Sequence, residues 1–130
     1  MKEHAEVFLI PVACVFCFLA YHGYRINCML DEFLELLYMS DRQLWESLGK
    51  PTSRLWRPPG SWPNLTQTTL LCFKWLRKKP PEWLIERPEL RTRFECLQMR
   101  LRRWNLVYIP ISFGVVATMM TLIYFITRPN

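Results

Sequence analysis

The chain has 130 residues, five cysteines, a formal net charge of +6 and a mean hydropathy of zero. That zero averages two apolar ends against a charged middle, where 15 of the 17 Lys and Arg fall between Arg25 and Arg103. An odd, irregular set of cysteines argues against a disulfide framework and for free thiols. The charge placement favours membrane topology or an anionic lipid surface over nucleic acid.

Val7 to Tyr21 is apolar throughout, and His22, Gly23 and Tyr24 extend it toward about 18 residues. That length suffices for a membrane helix, with Glu6 and Arg25 in the headgroup regions. A cleaved signal peptide is the rival reading. Lys2 precedes the apolar run, but Glu3 and Glu6 spoil the positive flank, and Leu19-Ala20-Tyr21 is a poor cleavage site. A lipoprotein signal at Cys14 fails at Pro11. Residues 1–24 are therefore expected to be a tail and a retained first transmembrane helix. Cys14-Val15-Phe16-Cys17 has redox-motif spacing, but hydrocarbon favours the neutral thiol, so the pair reads as apolar filler. His22 reads as an interfacial side chain, with no second ligand near it in sequence.

The middle, residues 25–104, is expected to be a helical segment. Ile26, Leu30, Phe33, Leu34, Leu37 and Tyr38 describe one face of a helix continuing from the membrane, with Asp31, Glu32 and Glu35 opposite. Ser40 or Asp41 caps a short helix from Arg42 to Leu48, stopped by Gly49 and Pro51. Residues 51–64 form a proline-rich turn surrounded by Trp45, Trp56 and Trp62. Those three indoles form either a partner-binding groove or a small cap packed on itself or on the membrane surface. Asn64 caps a helix from about Leu65 to Arg77 that carries too many apolar residues to be freely solvated. Asn64-Leu65-Thr66 is also a glycosylation sequon, silent in a cytoplasmic segment. Arg77, Lys78 and Lys79 close that helix before Pro80-Pro81, and a short turn, Glu82 to Glu86, follows.

Pro88 opens the last helix of the middle. Leu90, Phe94, Leu97, Leu101, Trp104 and Tyr108 form a strip aimed into the second apolar segment. Arg91, Arg93, Arg100, Arg102 and Arg103 flank it. The two juxtamembrane helices carry matching apolar stripes and opposite charge, which predicts antiparallel pairing held mainly by packing. The second transmembrane helix and C-terminal tail are assigned to residues 105–130. Leu106 to Ile126 contains no charged residue, and as a helix it measures roughly 31 Å, the thickness of a bilayer core. Apolar on every face, it is ill suited to the interior of so short a soluble domain. Pro110 is expected in its first turns, where a missing donor costs least. Tyr108 and Tyr124 with Arg128 suit the two interfaces.

The arginines ahead of the second span place the middle in the cytoplasm and both termini outside. Catalytic patterns are missing from the sequence. His4 and His22 stand near no nucleophile in a catalytic arrangement, and no phosphate loop, zinc spacing or HExxH occurs. No enzyme activity, cofactor, metal, nucleic acid or small-molecule substrate is expected. The fold expected is all-α, a two-span transmembrane helical hairpin with a helical cytoplasmic segment between the spans. The function expected is protein association as adaptor, regulator or accessory subunit, with a protein partner or a homo-oligomer. The alternative is a response to anionic membrane lipids through the basic helix 88–104.

Asp41-x-x-Leu44 after a short first span, a turn, a Leu/Phe/Trp helix and the Arg-rich run Arg91–Arg103 before a C-terminal span resemble the universal stress protein B family. The resemblance covers the chain in outline and rests on segment order. The stretch Trp56–Trp62 and the Pro80-Pro81 break depart from it. It implies a multi-pass protein of the bacterial inner membrane, connected with stress response and with no assigned chemical activity.

Overall fold

A computed structural model of the chain describes residues 2–77 and 79–128, and the side chains of residues 7–76 and 79–128 among them. It is all-helical. The helices are α1 (Lys2–Ser40), α2 (Arg42–Ser47), α3 (Leu65–Arg77), α4 (Pro88–Arg103) and α5 (Ile109–Thr127). A 3-10 turn at Glu82–Leu84 and a π-helical turn at Trp104–Tyr108 complete them, and no strand occurs among the described residues. Two stretches, Val7–Ser40 and Pro88–Thr127, are helices long and apolar enough to cross a membrane. The protein covers 0% and 6% of their most apolar windows. A core helix of a soluble domain would be hidden by its neighbours, and these are not.

The chain forms two compact units, one of residues up to Gly23 and from Arg103 onward, the other Tyr24–Arg102. The second unit is built on the expected antiparallel pair. Glu32 on α1 meets Arg93 on α4, and Asp41 meets Arg87, so position rises on one helix as it falls on the other. Between them lie Leu30, Phe33, Leu34 and Leu37 from α1 and Leu90, Phe94, Leu97 and Leu101 from α4, all buried. These are eight of the twelve residues of the two predicted stripes, with Ile26 and Tyr38 partly buried beside them, and each fully buried Leu or Phe contributes roughly 1.5–3 kcal/mol. α3 closes the core from the side with Leu71 and Trp75. The Trp75 ring stands edge-on to Phe33 at 5.3 Å and to Phe94 at 5.4 Å, the arrangement favoured by aromatic quadrupoles. Leu84 from the 3-10 turn is fully buried beneath them.

The caps follow their side chains. Asp41, with non-helical backbone, accepts a bond from the Leu44 amide at 2.9 Å and starts α2. Ser40, the other candidate cap, instead donates to the Leu37 carbonyl within α1. Asn64 accepts from the Gln67 amide at 3.3 Å and starts α3. The basic closure expected for α3 falls partly on Lys78 and the Arg77 side chain, which lie outside the described residues, as do the side chains of Lys2, Glu3 and Glu6.

In the first unit, the His22 ring sits 4.4 Å from Phe18 and 4.7 Å from Tyr108. Gly23 presents its backbone to the Trp104 indole, where a Cβ would stand 3.5 Å from the ring. Pro110 falls in the first turn of α5, as expected, but the helical path does not start there: it is continuous from Pro88 through the π-helical turn. An interior proline removes a donor and crowds the carbonyl four residues back. Just before it the helix widens, and the Ile109 amide bonds the Trp104 carbonyl five residues earlier. Three threonines of α5 are satisfied internally: Thr118, Thr121 and Thr127 each donate to the carbonyl four residues back at 2.8 Å. Such bonds let threonine sit in an apolar helix without an open polar group.

Candidate functional site

Residues 48–68 carry more polar cross-links than any other loop described. The Trp45 indole donates to the Pro51 carbonyl at 2.9 Å and stands edge-on to Tyr38 at 5.0 Å. Trp56 covers the same Tyr38 ring at 5.8 Å. Thr52 and Ser53 are buried, and both are bonded. The Thr52 hydroxyl accepts from the Asn64 amide at 2.7 Å, its carbonyl accepts from Thr68, and the Ser53 hydroxyl accepts from the Trp56 amide at 3.0 Å. Asn64 and Gln67 reach back to the carbonyls of Gly49 and Leu48. Gly49 adopts φ +88°, and a Cβ there would strike the Gln67 side chain at 2.9 Å. The turn is therefore a stapled loop with a fixed shape.

That loop and the end of α1 with α2 enclose a groove of about 470 Å³. Tyr38, Arg42, Trp45, Glu46, Lys50 and the run Pro58 to Asn64 line it. Arg42 lies 5.6 Å from the Tyr38 ring centre and bonds Glu46 at 3.3 Å. Ser61 folds the tip by donating to the Pro58 carbonyl, and Gly60 takes φ +76° there. Trp62 stands at the rim with 89% of its surface exposed.

The three tryptophans singled out in the sequence thus part company. Trp45 is 3% exposed and belongs to the core, Trp56 is half-buried over Tyr38, and Trp62 faces outward. Trp45 and Trp62 both line the groove; Trp56 does not. Lys50, Arg42 and Tyr38 join the groove without having been singled out. Only the flanking Gly49 and Gly60 hinted at the chain reversals that bring them together.

The arginines of α4 also divide. Arg91 donates to Glu95 at 2.8 Å on its own helix, and Arg93 donates to Glu32 across the helix pair at 2.8 Å. Arg100 is half-buried, whereas Arg102 and Arg103 are exposed. Of the acidic trio on α1, Glu32 has this arginine. Asp31 has its Oδ1 out of solvent and unbonded, and burial holds its carboxyl above the usual carboxylate range. The Trp56 amide offsets part of that rise, and Glu35 and Glu32 add to it. Arg87, not anticipated, bonds Asp41 and ties the start of α4 to the cap of α2. The five cysteines are free, and no cluster of three or more metal-ligating side chains occurs among the described residues. No protein-family model, no curated protein sequence and no solved structure matches this chain.

Proposed function

We propose that this chain is a two-span membrane protein, its middle segment cytoplasmic and both termini outside, that acts by binding another protein. The exposure of Trp62 supports the binding role. The cap has buried or half-buried its other indoles, yet it holds Trp62 open beside a groove whose walls are stapled. A rigid aromatic on a preorganised rim loses little entropy on binding, and such residues carry a large share of interface energy. Lys50 gives the groove cationic chemistry suited to an acidic or amphipathic segment of the partner, while Arg42 is paired with Glu46 on the same wall. The chain then serves as adaptor, regulator or accessory subunit. The lipid reading of helix 88–104 draws less support, since Arg91 and Arg93 already bond carboxylates.

The test is native-level expression of tagged protein, extraction in mild detergent, and a native gel with mass spectrometry of the band. Migration in a larger complex, lost in Trp62→Ala, is the expected result. A hot-spot indole predicts at least about 30-fold weaker binding on truncation. A lone monomer that Trp62→Ala does not change would end this reading. Orientation is tested separately, by an impermeant thiol reagent on Arg57→Cys in a background without the native cysteines. Labelling only in opened cells is expected, and labelling in intact cells would reverse the topology.

A further inference from the structure

α3 has two apolar faces. The inner one, with Leu71 and Trp75, is in the cap core. The outer one carries Leu65, Leu70 and Phe73, which are 43%, 51% and 55% exposed. Thr66 and Thr69 lie among them, and residues 66, 69, 70 and 73 share an arc of about 100°. The Thr69 hydroxyl donates to the Leu65 carbonyl at 2.8 Å, so this face carries one fewer open polar group. Lys74 and Lys79 are exposed at its C-terminal end. The surrounding charge is one-sided: between Glu46 and Glu82 the sequence has seven Lys and Arg and no Asp or Glu.

We propose that this face of α3 rests on the bilayer surface, on a leaflet containing anionic lipid. Leu70 and Phe73 enter the headgroup–acyl boundary, and Lys74 and Lys79 meet the lipid phosphates. The inference rests on the membrane reading above. A Leu and Phe face bordered by lysines has the composition of an interfacial helix. Anchoring supplies the second half of the argument, because tethering by the spans keeps lipid at high effective concentration. An acidic protein would match the charge, but the bilayer is the apolar phase to which the chain is already attached. This contact differs from the arginine helix considered in the sequence: it uses α3, and its lysines enter none of the described ion pairs.

The test uses the full chain, free of native cysteines, with one spin label at Thr69→Cys or, in a separate sample, at Val115→Cys in α5. Each is reconstituted in vesicles of phosphatidylcholine alone or with a third phosphatidylglycerol. Collisions with oxygen report lipid, and collisions with a nickel chelate report water. The expected result is a lipid-phase label at residue 69 in the anionic vesicles. Its population falls about fivefold for each of Lys74→Gln and Lys79→Gln. A second label at Thr66→Cys repeats the reading one turn earlier, and circular dichroism checks that the labelled helix is intact. Water contact at 69 in both vesicles, with 115 in lipid, overturns the proposal and leaves the membrane reading standing. A label at 69 shielded from both reagents means that protein covers the face, and overturns it as well. Water contact at 115 overturns the membrane reading and the proposal together.

Discussion

Asp31 sits on the half-buried side of α1 with one carboxylate oxygen unbonded, beside Glu32 and Glu35. Its folded pKa lies above the unfolded value, so the folded state holds the proton more tightly. Deprotonation therefore costs stability as pH rises from the ordinary carboxylate range through the raised folded value, the reverse of the usual acid-labile carboxylate. Asp31→Asn is expected to raise the thermal midpoint at neutral pH, with the gain shrinking as pH falls below that range. A gain unchanged by pH would place its origin outside this titration. Cys72 gives a kinetic counterpart. Burial pushes its thiol up to about 11, so maleimide at neutral pH is expected to label it at least about tenfold slower than the exposed Cys96. Equal rates would mean that α3 opens readily. Neither property could be read from sequence, because burial of a single side chain depends on which helices come to cover it.

The helices themselves were legible where the signal is local. Asp41, Asn64 and Pro88 start elements at the places their chemistry favours, and the stripes of α1 and α4 are the buried ones. The π-helical turn was not legible, since a proline interior to a continuous helix and one at a helix start look alike in sequence. The long-range link from Arg87 to Asp41 escaped for a different reason. It joins residues 46 apart, and nothing in either residue's neighbourhood specifies the other. That link makes Asp41 do two things, with Oδ1 capping α2 and Oδ2 holding α4. Asp41→Asn keeps a capping oxygen and is expected to lose about 0–1 kcal/mol, whereas Asp41→Ala loses the cap too, about 1–2 kcal/mol more. Denaturation of the two variants side by side separates the terms, and equal losses would mean that the ion pair dominates.

For the molecule as a whole, composition already separated two apolar ends from a charged middle, and the structure has two long apolar helices and a helical unit with its own core. Less legible was the polar stitching of the groove, in which Asn64 and Gln67 bond carbonyls 15 and 19 residues away. The core of the second unit is drawn wholly from within it, so residues 24–102 expressed alone are expected to unfold cooperatively in chemical denaturant. A broad, gradual transition would mean that the unit depends on the rest of the chain. The uneven burial of the indoles has one more consequence, an optical one. Trp45 and Trp75 are buried, Trp56, Trp83 and Trp104 are half-buried, and Trp62 is open. Emission at the long-wavelength edge therefore comes chiefly from Trp62, and Lys50 nearby draws iodide toward it. A quenching titration read at that edge gives the unmodified protein a built-in gauge of whether its groove is occupied.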